Sequence, residues 1–336
     1  MAMRTSRKIG IGILFLLMSL CVLPAFSQRS KSSLVGKTIC LDAGHGGTAL
    51  TDSYRVGPGG EREEWINLRV ALLLQQMLEE KGAKVLMTRL TDENVPFDTR
   101  VQLATAHKAD VFISVHHNAT ADPKVNFPIV YYHGYASENK GSVQLGRLLA
   151  EQLSKQLYQE KPKATLVSDH AIFPTAGAKV LRDTYGIPGV IAEASFFTNP
   201  AEEGRLKQQE HNRQEAMAYV AALEAFFSKS EAPIAAKNSK VTLPPFKVFQ
   251  EAERVNETAQ LWYQDYLRGC ELMKQKDMAT LQQAYDLFTR SVRSFPDSYV
   301  AAACHRNRAM LLRKMGKRAE ARQEKKRAKE FYVPLS

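Results

Sequence analysis

Cysteine is scarce, with four in 336 residues. Cys21 lies in an apolar stretch near the N-terminus, which leaves Cys40, Cys270 and Cys304, an odd set that excludes a scaffold stapled by disulfides. Cys40 reads as a small buried hydrophobe of the first strand, whereas pairing of Cys270 with Cys304 stays open. Long apolar runs are missing as well. The one strongly apolar stretch, 9–22, falls short of the ~20 residues a membrane-spanning helix needs. Arg4, Arg7 and Lys8 precede it and Leu23-Pro24-Ala25-Phe26-Ser27 follow it, the layout of an export signal occupying 1–27 and cleaved before Gln28. Leu20 is too bulky for the position preceding a lipidated cysteine. An excess of one charge is absent from 28–235, where 23 Lys and Arg meet 24 Asp and Glu. Residues 236–336 differ, with 20 basic against 11 acidic side chains. Export removes nucleic acid from the candidate partners, so this basic tail would be drawn to an anionic wall polymer, a lipid surface or an acidic protein.

Hydrophobic patterning divides the remainder. From 37 to 227, short β-rich runs at 38–41, 85–88, 111–115, 129–132 and 190–192 alternate with helical runs at 64–81, 99–107, 139–157 and 202–227. The first helix places Ile66, Val70, Leu73 and Met77 on one face. Such alternation predicts an α/β fold, a mostly parallel twisted sheet flanked by helices, with chemistry at the strand carboxyl ends. Residues 228–250, with Pro233, Pro244 and Pro245, read as a linker. Beyond it, 251–331 is helical. Ala284, Phe288, Ser291 and Pro296, followed by Gly316, Ala321 and Ala328, match the spacing of a tetratricopeptide-like module. Two helix pairs are few for a free-standing solenoid, which favours packing on a capping helix or on the α/β region.

Four segments carry the chemistry: Leu41-Asp42-Ala43-Gly44-His45-Gly46-Gly47, Glu63-Glu64-Trp65-Ile66-Asn67-Leu68, Ser114-Val115-His116-His117-Asn118-Ala119 and Val190-Ile191-Ala192-Glu193-Ala194-Ser195-Phe196-Phe197-Thr198-Asn199. Two histidines and a carboxylate suffice to hold zinc with a position left open, and a further glutamate can move protons. Each residue has a plainer reading. His45 fits a glycine-lined turn. Glu63 could merely complement the dipole of its helix, as could Glu61 and Glu64. His116 and His117 end one strand and face opposite ways, so only one binds a given metal; His116 is the ligand, and His117 a bystander or substrate contact. Glu193 closes an apolar strand, where it is either the partner of Arg182 or an acid and base beside the metal.

In order and spacing these segments resemble the zinc-dependent N-acetylmuramoyl-L-alanine amidases, over residues 37 to about 227. The resemblance implies a Zn2+ site made by His45, Glu63 and His116, with Glu193 catalytic and peptidoglycan as substrate. Thr88, Arg89, Arg100 and the run Val180-Leu181-Arg182 also fit the family pattern. Asp42, Asn118 and Arg182 are expected behind the ligands or against the substrate, with Asp42 orienting His45. His117 stands where the family usually has alanine, Ala194 where it has glycine or another small residue, and Thr198 where serine is common. Between Asn118 and Ile129 the chain is too short for the inhibitory helix that some relatives insert there. An exported, wall-directed enzyme implies a bacterial periplasm.

Two rivals remain. Ser137-Glu138-Asn139-Lys140 fits the Ser-x-x-Lys of penicillin-binding acyl-transferases, with Ser137 and Lys140 as the reactive pair, but no Lys-Thr-Gly follows and Ser137 equally suits a helix cap. A non-catalytic wall-binding adaptor would keep the domain and use the tail, against which stands the intact set of chemical residues.

Overall fold

Strand and helix alternate along the chain as patterned: β1 (Thr38–Ala43), α1 (Glu63–Glu80), β2 (Lys84–Met87), α2 (Phe97–Ala106), β3 (Val111–Asn118), β4 (Ile129–Tyr132), α3 (Lys140–Leu157), β5 (Thr165–Ser168), α4 (Lys179–Asp183), β6 (Gly189–Phe196), α5 (Pro200–Leu206) and α6 (Gln209–Phe227). The tail adds α7 (Glu257–Gln260), α8 (Trp262–Leu272), α9 (Met278–Ser294), α10 (Ala301–Lys314), α11 (Arg318–Glu330) and β7 (Tyr332–Val333). The structure is a computed structural model that describes residues 1–3, 32–53, 55–160, 163–237, 243–249, 253–254 and 256–335. It divides into Met1–Lys31 and Ser32–Ser336, and everything below concerns the second unit. The export signal, apart from its first three residues, lies outside the described residues.

The strands form one sheet in the order β2-β1-β3-β6-β4-β5-β7. β2, β1, β3 and β6 run parallel, β4 and β5 run against them, and β7 pairs antiparallel with β5. On one face α1, α3 and α6 pack over Ile39, Leu41, Val111, Ile113, Val115, Val190 and Ala192. On the other face α2 and α4 contribute Ala104, Val180 and Leu181 over Cys40 and Phe112, while the tail helices set Trp262, Leu281, Phe288, Val292, Phe295 and Phe331 in the same core as Tyr131, Val167 and Phe196. Each fully buried Phe contributes about 1.5–3 kcal/mol, so the tail is held to the sheet by an ordinary apolar core. Polar ties add to it: Tyr132 Oη donates to the Glu330 carbonyl at 2.6 Å, and Tyr131 Oη bonds Asp297.

Several details depart from the sequence reading. The buried stripe of α1 runs through Ile66, Val70, Leu74 and Leu78, leaving Leu73 and Met77 at the core margin. The helix expected over 202–227 breaks at Lys207 and Gln208 into α5 and α6. β3 extends through His116 to Asn118, and β6 through Glu193 to Phe196, so both residues lie within strands rather than at their ends. Asn139, not Ser137, caps α3 by accepting from the Ser142 N–H. Cys40, Cys270 and Cys304 are free thiols, and burial pushes Cys40 and Cys304 up to about 12, which makes both unreactive.

Within the tail, Glu324 Oε2 of α11 lies 2.6 Å from His305 Nδ1 and accepts from Arg308 Nε at 3.1 Å, both on α10. Burial alone would raise the Glu324 carboxyl, but His305 and Arg308 outweigh it and bring it to about 2. A depressed carboxyl stabilises the fold above its unfolded value, near 4.3, and that contribution of roughly 3 kcal/mol is lost as pH falls toward about 2. Glu324→Gln is therefore expected to flatten the decline of Tm between about pH 5 and 2. An unchanged slope in thermal unfolding would show that another group carries the acid sensitivity.

Candidate metal and catalytic site

Past β1 the backbone turns sharply, and His45 takes a φ of +58°, one of two non-glycine residues with positive φ among those described. Such a conformation costs of order 1–3 kcal/mol and must be imposed by its surroundings. Two arginines impose it. Arg89, buried at 2% exposure, donates from Nε to the Ala43 carbonyl at 2.8 Å and from Nη2 to the Gly44 carbonyl at 2.9 Å. Arg100 donates from Nη1 to the Ala43 carbonyl at 2.9 Å and from Nη2 to the His45 carbonyl at 2.7 Å. Asp42 anchors Arg100 at 2.6 Å and accepts from Thr88 and Ser114 at 2.8 and 2.6 Å. Burial would raise the Asp42 carboxyl, yet Arg100 and Ser114 outweigh it and keep it below its ordinary value. Asp42 thus reaches the His45 backbone through Arg100.

Gly44 has a different constraint. A Cβ there would come within 2.2 Å of His116 Nε2. Gly44→Ala is expected to push the His116 ring aside and lower activity by about 10²-fold, the usual result of an ångström-scale misplacement. Zinc uptake and turnover that match the unsubstituted chain would contradict this.

Glu63 opens α1 and lies between the two histidines. Its Oε1 is 2.9 Å from His116 Nδ1 and its Oε2 3.2 Å from His45 Nε2, and the imidazoles meet edge to face with centroids 4.7 Å apart. One donor atom from each of the three residues lies within 4.8 Å of the others. Burial raises the Glu63 carboxyl, but His45 and His116 hold it well below the usual range, and burial pushes His116 down. An anionic carboxylate and a neutral imidazole are the forms that bind a divalent ion. The His45 side chain is 25% exposed, so the cluster opens toward solvent. Two nitrogens, one oxygen and an open side fit zinc of the catalytic type.

Glu193 pairs with His116 across β3 and β6, and with Ile129 across β6 and β4. Residues paired in register share a sheet face, so Glu193 projects beside His116 at about one strand spacing, roughly 4.8 Å. Its charge reaches the buried hydroxyls of Tyr131 and Tyr219, which burial and neighbouring carboxylates, Glu193 among them, push well above the usual range.

Comparison with known proteins fits this geometry. A family model described as N-acetylmuramoyl-L-alanine amidase matches residues 39–225, more than half of the chain. The chain belongs to that family. Over 206 residues it is 32% identical to a probable cell wall amidase, LytH, of Staphylococcus epidermidis, a match that spans 61% of this chain and 64% of the relative. It is 29% identical over 205 residues to the uncharacterized protein YqiI of Bacillus subtilis, spanning 60% of this chain and 90% of the other. Among solved structures, the amidase AmiC2 of Nostoc punctiforme superposes with a TM-score of 0.50 at 25% identity, over 57% of this chain and 98% of that one.

In this amidase His117, read from sequence as a bystander or substrate contact, is 1% exposed and cannot meet a substrate in this position. Its ring lies 2.9 Å from Asn67 Oδ1 and 3.0 Å from Glu215 Oε2. Asn67 in turn donates to Glu63 Oε1 at 3.2 Å and to the Gly44 carbonyl at 3.3 Å. The chain from Glu215 through His117 and Asn67 therefore braces the Glu63 carboxylate. Burial disfavours the His117 cation, but Glu215 overrides it and raises His117 above the ordinary histidine value. The Asn118 side chain accepts from the adjacent Ala119 N–H at 2.8 Å and shapes the turn out of β3. Arg182 sits on α4, where it pairs with Asp183 at 2.9 Å. Ser137 Oγ donates to Glu330 of α11 at 2.7 Å, a tie between tail and α/β region. The departure from alanine at His117 was the sequence signal for the buried brace; nothing local signalled its partner, Glu215.

Proposed function

We propose that the amidase hydrolyses the bond between the lactyl group of N-acetylmuramic acid and the L-alanine of the stem peptide, with zinc held by His45, Glu63 and His116. The observation that carries this reading is the convergence of those three donors beside Glu193, inside the region matched by the family. Zinc, when bound, supplies Lewis-acid polarisation of the lactyl carbonyl and brings the pKa of a water to about 7. Glu193 accepts a proton from the attacking water at its carboxylate and returns it to the alanine nitrogen as the C–N bond breaks. The water oxygen ends on the lactyl carbon as a carboxylic acid, and the stem peptide leaves with a free amine. His45 and His116 stay in place because Gly44 and Glu63 fix their rings, and the strained turn is held by Arg89 and Arg100.

Residues 119–128, between β3 and β4, contain no helix. This supports an enzyme that works without release of an inhibitory segment. The zinc-loaded chain alone is expected to clear a peptidoglycan suspension, and latency relieved only by an added partner would contradict that.

The tail reads best as a tetratricopeptide-like module. In support, Ala284, Phe288 and Ser291 are buried on α9, Gly269 of α8 lies under the Phe288 ring, and Gly316 ends α10 with a φ of +80°. Its basic surface would dock an acidic partner, or act as a stiff spacer. No helix among the described residues is long and apolar enough to cross a membrane. The layout of residues 1–27 supports an exported protein working in the periplasm on peptidoglycan.

A further inference from the structure

A second cluster of metal-ligating groups lies at the opposite rim of the sheet. β4 and β5 run parallel with Tyr132 beside Ser168, so the next residues, His133 and Asp169, leave the sheet side by side. Because β4 runs against β6, His133 falls level with the start of β6, about four residues or roughly 13 Å along the strand from Glu193. His170 follows Asp169 in a 3-10 turn, Asp169–Ala171. A ring nitrogen from each histidine and one Asp169 oxygen lie within 4.8 Å of one another, and the two rings have centroids 5.2 Å apart.

Asp169 is fully buried, and its two oxygens differ. Oδ2 lies 2.8 Å from His133 Nδ1 and accepts from the Ala178 N–H at 2.7 Å. Oδ1 is buried with no hydrogen-bond partner. A carboxylate oxygen withdrawn from water without a partner costs several kcal/mol unless a cation meets it. The chain closes tightly around this spot: Gly177 has a φ of +70°, and a Cβ there would stand 2.5 Å from Asp169 Oδ2 and 2.7 Å from His133 Nδ1. The competing cation is Lys237, near enough to Asp169 to feel its charge, although its ammonium also contacts the Arg182 carbonyl at 3.4 Å.

We infer that His133, Asp169 and His170 form a second divalent-metal site, of the borderline N2O type that takes zinc, separate from the catalytic cluster. Its position gives it a structural role. The His170 ring stacks on Phe331 at 5.8 Å, so an ion here would join the β4 and β5 ends to the start of β7. It performs no step of hydrolysis.

The test counts zinc per chain by elemental analysis after equilibration with Zn2+ and removal of excess ion. The full chain is expected to hold two equivalents, His170→Ala one, His116→Ala one, and the double variant none. His170→Ala should keep its peptidoglycan-cleaving activity and lose the rise in Tm that the second equivalent confers. If His170→Ala does not fold, the milder His170→Gln and Asp169→Asn take its place with the same expected count. A single equivalent in the full chain that only His116→Ala removes would overturn the inference and leave Lys237 as the counter-ion of Asp169. Two equivalents that survive in every variant of the second cluster would overturn it equally. Failure of the catalytic reading looks different, because His116→Ala would then leave the count unchanged.

Discussion

Replacing Glu193 by alanine is expected to reduce turnover by about 10²–10⁴-fold, the range spanned by general acid–base groups, while zinc stays bound. The expectation follows from placement. Glu193 stands across from His116 on the same face of neighbouring strands, yet it lies outside the three-residue donor cluster. A group so placed can exchange a proton with a water and with the departing nitrogen without holding the ion. Glu193→Gln keeps the shape and removes the basicity, and it should be as inactive as the alanine variant. If both variants lost stability but kept their rate per folded molecule, Glu193 would be a structural ion-pair partner, the reading under which Arg182 was its mate.

Glu63→Gln should act at the other step, on the metal itself. Glu63 is the one carboxylate between His45 and His116, and it also accepts from Asn67 and from the His117 N–H at 3.4 Å. Loss of a residue that only supports a ligand weakens metal affinity 10–100-fold, and loss of the ligand charge should exceed about 100-fold. Zinc affinity measured by competition with a chromophoric chelator is expected to fall by more than that, with activity recovered only in part by excess zinc. An affinity within a few-fold of the original would remove Glu63 from the ligand set. Together the two substitutions separate the roles: one chain that binds zinc and does not turn over, and one that cannot hold zinc.

The sequence was most informative where a residue's chemistry depends on its neighbours in the chain. Gly44-His45-Gly46-Gly47 announced a backbone that must bend, and His45 does take a left-handed φ. The alternation of His116 and His117 along a strand leads to different ring partners, Glu63 for His116 and Asn67 with Glu215 for His117. It was least informative where partners come from far along the chain. Glu215 meets His117 across 98 residues and Glu330 meets Ser137 across 193, and neither pairing leaves a local pattern. β5 was missed because four residues, Thr165–Ser168, offer little periodicity, and β7 because two residues offer none. β5 pairs along its whole length with β4, and β7 pairs with β5 where the tail brings Tyr332 and Val333 to the sheet, tertiary effects that override short-range preference. His133, Asp169 and His170 likewise look unremarkable in sequence, since only the parallel pairing of β4 and β5 brings them together.

The most direct test of the account is mass spectrometry of the fragments released from purified peptidoglycan by the zinc-loaded chain, with a chelator-treated sample and Glu193→Ala alongside. Stem peptides with a new free amine on L-alanine are expected, paired with glycan strands that carry a newly formed free lactyl carboxylate, and both should be lost in the two controls. Intact lactyl–alanine bonds after incubation with folded, zinc-loaded chain, or the same peptides released by Glu193→Ala, would contradict it.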